Sequence, residues 1–361
     1  MNSTISRRDL LQAGVGVLTL SAAAKRAIAQ SPVPITPAFA ATSNNRSTVS
    51  LIKGDDRRKN VYQALMAIDH KIAPQLKRKK YVVIKPNNVS TTTQLASTHT
   101  EALCGILDYV SERFHGPVII AESSAGNTLE GFEAFGYSRV ASEYKKQKVQ
   151  LLDLNTEGLY QTVAVLDRDL HVANVRLAAR LQDPEAFVFS SAMLKTHNTV
   201  VATLSIKNMC LGAPLHQAPK ETSRWNDKRK YHVGVRQTHY NMMLTAQRLK
   251  PFWGAAVIDG FEGMEGKGPS DGTLVPSRIA IASTDYVAAD RVGVEAMAIK
   301  AENIGYLLYC WQAGVGQYDL NKIDLIGENL ASVRRAYKLS PDIEKELEWM
   351  GPLDKVPAIL G

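Results

Sequence analysis

Only three of the 361 residues are cysteine, Cys104, Cys210 and Cys310. They lie roughly a hundred positions apart and form no Cys-x-x-Cys pair. That spacing excludes a sequence-local iron–sulfur cluster or zinc ribbon, and three thiols cannot build a disulfide framework. Apolar neighbours such as Leu103, Met209 and Trp311 make each of them a buried structural residue. Nucleotide and hydrolase signatures are missing too. There is no Gly-x-x-x-x-Gly-Lys-Ser/Thr, no Gly-x-Gly-x-x-Gly after a strand, no His-Glu-x-x-His and no Gly-x-Ser-x-Gly. Aromatic residues are 7% of the chain and do not interleave with arginine, and the formal charge is only +8, so a nucleic-acid partner is excluded. Beyond residue 29 no apolar run approaches the ~18 residues that span a bilayer, so the mature chain is not expected in a membrane.

What is present begins at the N-terminus. Ser6-Arg7-Arg8-Asp9-Leu10-Leu11 fits the twin-arginine export pattern at every position. A weakly apolar stretch over 10–24 follows, then Lys25, Arg26 and the small-x-small site Ala27-Ile28-Ala29. Residues 1–29 therefore read as a twin-arginine signal peptide. The translocase is its partner and the periplasm its destination. The leader holds +3 of the charge and leaves a mildly basic mature chain, compatible with an anionic small-molecule substrate. Residues 30–47, rich in Pro, Ala, Ser, Thr and Asn, read as a flexible tether.

From residue 48 onward, β-rich runs at 49–52, 81–84, 118–121, 149–154, 186–190, 255–258, 278–282 and 323–326 alternate with helical patterns. Several runs are apolar on consecutive residues, as strands covered on both faces are. The segment 48–361 is thus expected to be α/β, with a mostly parallel sheet flanked by helices, in one large domain or in two lobes around a cleft. A further strand at 163–166 reads as part of an antiparallel hairpin. Thr98 with Glu101, and Asn127 with Glu130, read as capping boxes. Asn198 is expected to cap a helix over 199–211 that Gly212 closes. That helix would be apolar nearly all round, with Thr199, Thr203 and Lys207 along one stripe. A lysine buried there either pairs with a core carboxylate such as Asp290 or faces a ligand. Residues 213–240 carry many charges and three histidines without a core stripe. They read as a solvated insertion or as a lid over an anionic ligand.

The strand ends collect functional groups. Lys85 and Asn87 follow one run, Glu122 and Ser123 the next, then Lys195 and His197, then Asp259 and Glu262, then Asp285. In a parallel sheet such ends share one edge, where α/β proteins bind ligands. Lys85, Lys195 and Lys207 would hold an anion, oriented by Asn87 and Asn208. His99, expected as the first helical residue after its cap, or His197 would move a proton. Asp259, Glu262 and Asp285 would hold a divalent metal or orient a lysine.

The same segments resemble the domain of unknown function 362 family over about residues 48–330. The resemblance is carried by Lys85-Pro86-Asn87, Thr98-His99-Thr100-Glu101, Glu122-Ser123-Ser124, Lys195-Thr196-His197, the run Thr203-Leu204-Ser205-Ile206-Lys207-Asn208, Asp259 with Met264-Glu265-Gly266, and Asp285 through Asp290. Many members add a ferredoxin-like segment whose cysteines this chain lacks, so no iron–sulfur cofactor is implied. The resemblance confers no reaction. The strand-end chemistry predicts an exported enzyme acting on an anionic small molecule by proton transfer or cofactor-dependent redox. The alternative is a periplasmic protein that only captures an anion or a metal.

Overall fold

Buried apolar strands with helices on both faces form one mixed sheet. The computed structural model describes residues 46–352. The expected signal peptide and all but the end of the expected tether lie outside the described residues. Strands β1 (Ser47–Lys53), β2 (Tyr81–Lys85), β3 (Val118–Glu122), β4 (Gln150–Asp153), β7 (Ala186–His197), β9 (Trp253–Glu265), β11 (Ile279–Ser283) and β12 (Ile323–Gly327) run in the order β12-β1-β11-β9-β7-β2-β3-β4. β8 (Val201–Thr203) adds to β7 and β10 (Thr273–Val275) to β9, while β5 (Tyr160–Leu166) and β6 (Val172–Ala178) form a separate antiparallel pair, as expected for 163–166. Along the main path only β11 opposes the rest, antiparallel to both β9 and β1. The described residues all fall in one compact unit.

Side-chain alternation builds a core on each face. Val82, Ile84, Phe187, Phe189 and Val257 pack under helices Arg57–Ala67, Asp69–Leu76 and Thr100–Ser111. Val83, Val188, Leu194 and Ile258 face helices Ser205–Gly212, Val235–Leu249, Tyr286–Ala296 and Gly305–Gln312. All three cysteines are free and buried. Among the described residues no helix is long and apolar enough to cross a membrane.

Three local expectations are corrected. The tether ends early: Ser47 already belongs to β1, and Arg46 Nε donates to Asp324 Oδ1 at 2.9 Å. The helix expected over 199–211 starts late, at Ser205, and 201–203 before it are strand. β7 continues to His197, turns, and returns as β8, pairing Lys195 with Thr203 and His197 with Val201. Within β8 the β-branched Thr203 favours the pleat over a helix. Val201 takes the uncommon φ of 68°, with its amide held by Glu346 Oε2 at 2.8 Å. The helix starts only at Ser205, capped from outside: the Ser205 and Ile206 amides donate to the Asp290 carboxylate at 2.8 and 3.0 Å. Asp290 is therefore a helix cap and not the partner of Lys207. Burial raises its pKa to about 7 against those hydrogen bonds.

The third correction concerns Thr98. Its hydroxyl accepts from the Asn87 amide at 2.8 Å and donates to Ser191 O at 2.9 Å, so it ties two strand ends together. His99 takes the capping role, its Nδ1 accepting from the Glu101 amide at 3.1 Å. Asn127 caps Thr128–Ala134 as expected.

Candidate functional site

Adjacent parallel strands bring Lys85 and Glu122 to one edge of the sheet, since β2 and β3 pair in register through Ile84 and Ile120. Both side chains are buried. Lys85 Nζ donates to Glu122 Oε1 at 2.8 Å, to Asn208 Oδ1 at 3.0 Å and to Pro86 O at 3.0 Å. Glu122 also accepts from the amides of Ser123 at 2.8 Å and Asn88 at 3.1 Å. Helix Ser205–Gly212 closes over this pair at Gly212, where a Cβ would collide with Lys85 Nζ and Cε. Burial lowers the Lys85 pKa, opposed by the Glu122 charge.

Above the pair opens a cavity of about 550 Å³. Its walls carry Lys85, Lys207, Lys228 and Arg229 with His197 and His232, against the single carboxylate of Glu122. Lys207 is buried, and among the described residues it has no hydrogen bond and no ion pair. Burial, with the Lys85 charge second, brings its pKa down to about 7. Burial brings Lys228 to about 7 as well, even with Glu122 pulling it upward, while its Nζ reaches Leu211 O and Gly212 O, both at 3.3 Å. His197 is buried and falls well below its ordinary value through lost hydration and the Lys207 charge. Its Nδ1 accepts from the Thr199 amide at 3.0 Å, which leaves Nε2 to carry the proton of the neutral ring. His232, on the exposed rim, is also lowered by lost hydration and by Lys207 and Lys228. Asn87 Oδ1 on the cavity wall is buried without a partner.

Of the residues singled out in the sequence, Lys85, Asn87, Glu122, Ser123, His197 and Lys207 line this cavity. Two others stand behind it. Asn208 spends its amide on Lys85 O at 3.2 Å and Ser190 Oγ at 3.0 Å, and so positions Lys85 without facing the cavity. Lys195 Nζ donates to Ala96 O at 2.7 Å and Pro269 O at 3.3 Å, which pins two loops, and burial drives its pKa well down.

The remaining four belong elsewhere. Arg57 gathers Asp259 at 3.2 Å, Glu262 at 2.6 Å and Glu101 at 3.9 Å, and His99 stands 3.7 Å from Glu101. Those carboxylates serve an arginine that the sequence reading passed over. Asp285 follows the reversed strand β11 and so lies at the opposite edge. It caps helix Tyr286–Ala296 there and accepts from Ser47 Oγ at 2.6 Å. The set Asp259, Glu262 and Asp285 is thus not brought together. Among the described residues no group of three or more His, Cys, Asp or Glu could hold a metal ion.

Lys228, Arg229 and His232 escaped the sequence reading as site residues, although the charge-rich stretch 213–240 that contains them stood out. Its lack of a core stripe was the available signal. The structure folds part of that stretch onto the cavity wall.

The family described as Domain of unknown function (DUF362) matches residues 82–295. The chain belongs to this family. Every residue lining the cavity falls inside the matched range. A solved structure of a protein from Thermotoga maritima is similar at 10% identity with a TM-score of 0.41, covering 73% of this chain and 59% of that one. The chain thus spans about three-fifths of that protein's length. No curated protein matches the chain.

Proposed function

We propose that this family member is an exported enzyme whose lysine-lined cavity binds an anionic small molecule, a carboxylate or phosphate, and catalyses proton transfer next to a carbonyl of that molecule. The observation that carries the reading is the charge imbalance of the cavity. Glu122 is fully engaged by Lys85 and two amides, which leaves Lys207, Lys228 and Arg229 without a carboxylate on the wall. Cations held this way attract an anion, and a buried lysine that titrates near neutrality suits acid–base chemistry better than plain capture. Asn87 Oδ1 offers an acceptor for a ligand hydroxyl or amine.

Sulfate tests the anion site, because its charge does not change over the relevant pH range. Lys207 and Lys228 hold their protons below about pH 7 and lose them above it. Sulfate affinity measured by calorimetry should therefore be highest near pH 6 and fall by at least about tenfold by pH 9, since an anion binds the protonated form. Affinity that is flat or rising with pH would remove the anion site.

Export rests on the hexapeptide at residues 6–11, which lies outside the described residues. Arg7→Lys combined with Arg8→Lys should leave the precursor in the cytoplasm with residues 1–29 attached. Cell fractionation with N-terminal sequencing reads this directly, and normal processing of the double variant contradicts export by this route.

A further inference from the structure

We infer that Lys207 is a Schiff-base nucleophile and that the molecule held in the cavity is a small carbonyl compound bearing an anionic group. The inference rests on the anion-site reading and names the substrate class of the same site.

The geometry selects one amine. Lys85 is locked to Glu122, Asn208 and Pro86 O. Lys195 is spent on Ala96 O and Pro269 O and does not line the cavity. Lys228 reaches the carbonyls of Leu211 and Gly212. Lys207 lines the cavity, is 7% exposed, and has no hydrogen-bond or ion-pair partner among the described residues. Its place in the first turn of a helix capped by Asp290 fixes the direction of its stem. A desolvated lysine beside another cation keeps a free lone pair at neutral pH, which is what attack on a carbonyl needs.

The surroundings fit the remaining steps. The lone pair of Lys207 Nζ attacks the carbonyl carbon, a C–N bond forms, and the C=O π pair moves to oxygen. The Nε2–H of His197 donates a hydrogen bond to that developing oxyanion. The two amine protons then leave with the oxygen as water while the nitrogen lone pair closes the C=N bond. No oxidant or reductant takes part. Lys228 and Arg229, which line the same cavity, hold the anionic group and set the orientation of the carbonyl.

Reductive trapping tests the inference. The full mature chain is incubated with glyoxylate in one arm and glycolaldehyde phosphate in the other, each with sodium borohydride, and then mapped by peptide mass spectrometry. One dominant adduct on Lys207 is expected in at least one arm, and the arm that labels tells carboxylate from phosphate. Labelling there should fall to the background of surface lysines in Lys207→Arg, which keeps the charge and removes the nucleophile. Because mapping of the wild-type chain decides the matter alone, poor folding of the variant does not obscure it. Absence of a Lys207 adduct in both arms, with sulfate still bound, overturns the inference and leaves the anion site standing. Absence of both adduct and sulfate binding overturns the two together.

Discussion

Lys85→Met should lower folding stability by about 3–5 kcal/mol, the usual cost of removing one partner of a buried ion pair. Methionine matches the lysine stem in volume and leaves the packing under Gly212 intact, so the loss isolates the charge. Glu122 would then stay buried with only the Ser123 and Asn88 amides to satisfy it. Adding Glu122→Gln should recover part of the loss, because the stranded charge disappears while an acceptor oxygen remains for one of those amides. Urea unfolding of the wild type, the single variant and the double variant gives the comparison. A loss under about 1 kcal/mol in the single variant would mean that water reaches the pair, and that Lys85 is no structural ion.

Lys207→Met should act in the opposite sense. The wild-type ammonium has no carboxylate partner, so methionine removes a charge that the fold carries at a cost. In the folded chain its pKa is near 7 and in the unfolded chain near 10.5. Below pH 7 both states are protonated and the full cost of burying the charge is present. From pH 7 to about 10.5 the unfolded chain holds the extra proton, so wild-type stability rises with pH across that window and is constant in this respect outside it. The variant should therefore be the more stable protein at pH 6, by up to a few kcal/mol, and should lose that advantage by pH 10. Sulfate affinity at pH 6 should meanwhile drop by about ten- to a hundredfold, the scale of one charge-assisted hydrogen bond. Thermal unfolding at the two pH values, with calorimetry on the same samples, checks both halves. A variant less stable than wild type at pH 6 would show that Lys207 has a structural partner after all.

Much of this was legible in the residues themselves. Consecutive apolar runs such as Tyr81-Val82-Val83-Ile84 announced strands covered on both faces, and the polar groups after them pointed to the cavity edge. The start of the run containing Lys207, residues 199–204, was misread because an apolar stretch at that length fits a buried helix or a tight hairpin equally well, whereas 205–212 are the helix expected. The choice was made by the turn that pairs Lys195 with Thr203 and by the Asp290 cap 85 positions away, which no local pattern reveals. Asp285 was misplaced for a related reason: strand direction is a property of the whole sheet, and nothing in 279–283 reveals that this strand runs backwards. Arg57 was overlooked because it opens the charged run Arg57-Arg58-Lys59, which reads as surface, whereas here it is 5% exposed and collects Asp259 and Glu262.

The reversed strand also sets the timetable of folding. β1, the first described strand, has β11 on one side and β12 on the other, and Arg46 reaches Asp324 across 278 positions of sequence. Contacts of that separation form slowly, and they wait for the last part of the chain to be made. A chain truncated before Ile279 would leave β1 without a neighbour in the sheet. The segment that begins at Arg46 is therefore fastened only when the rest of the domain is complete. If export proceeds by the route proposed, which carries folded chains, the anchoring of β1 is the structural sign that the cargo is finished.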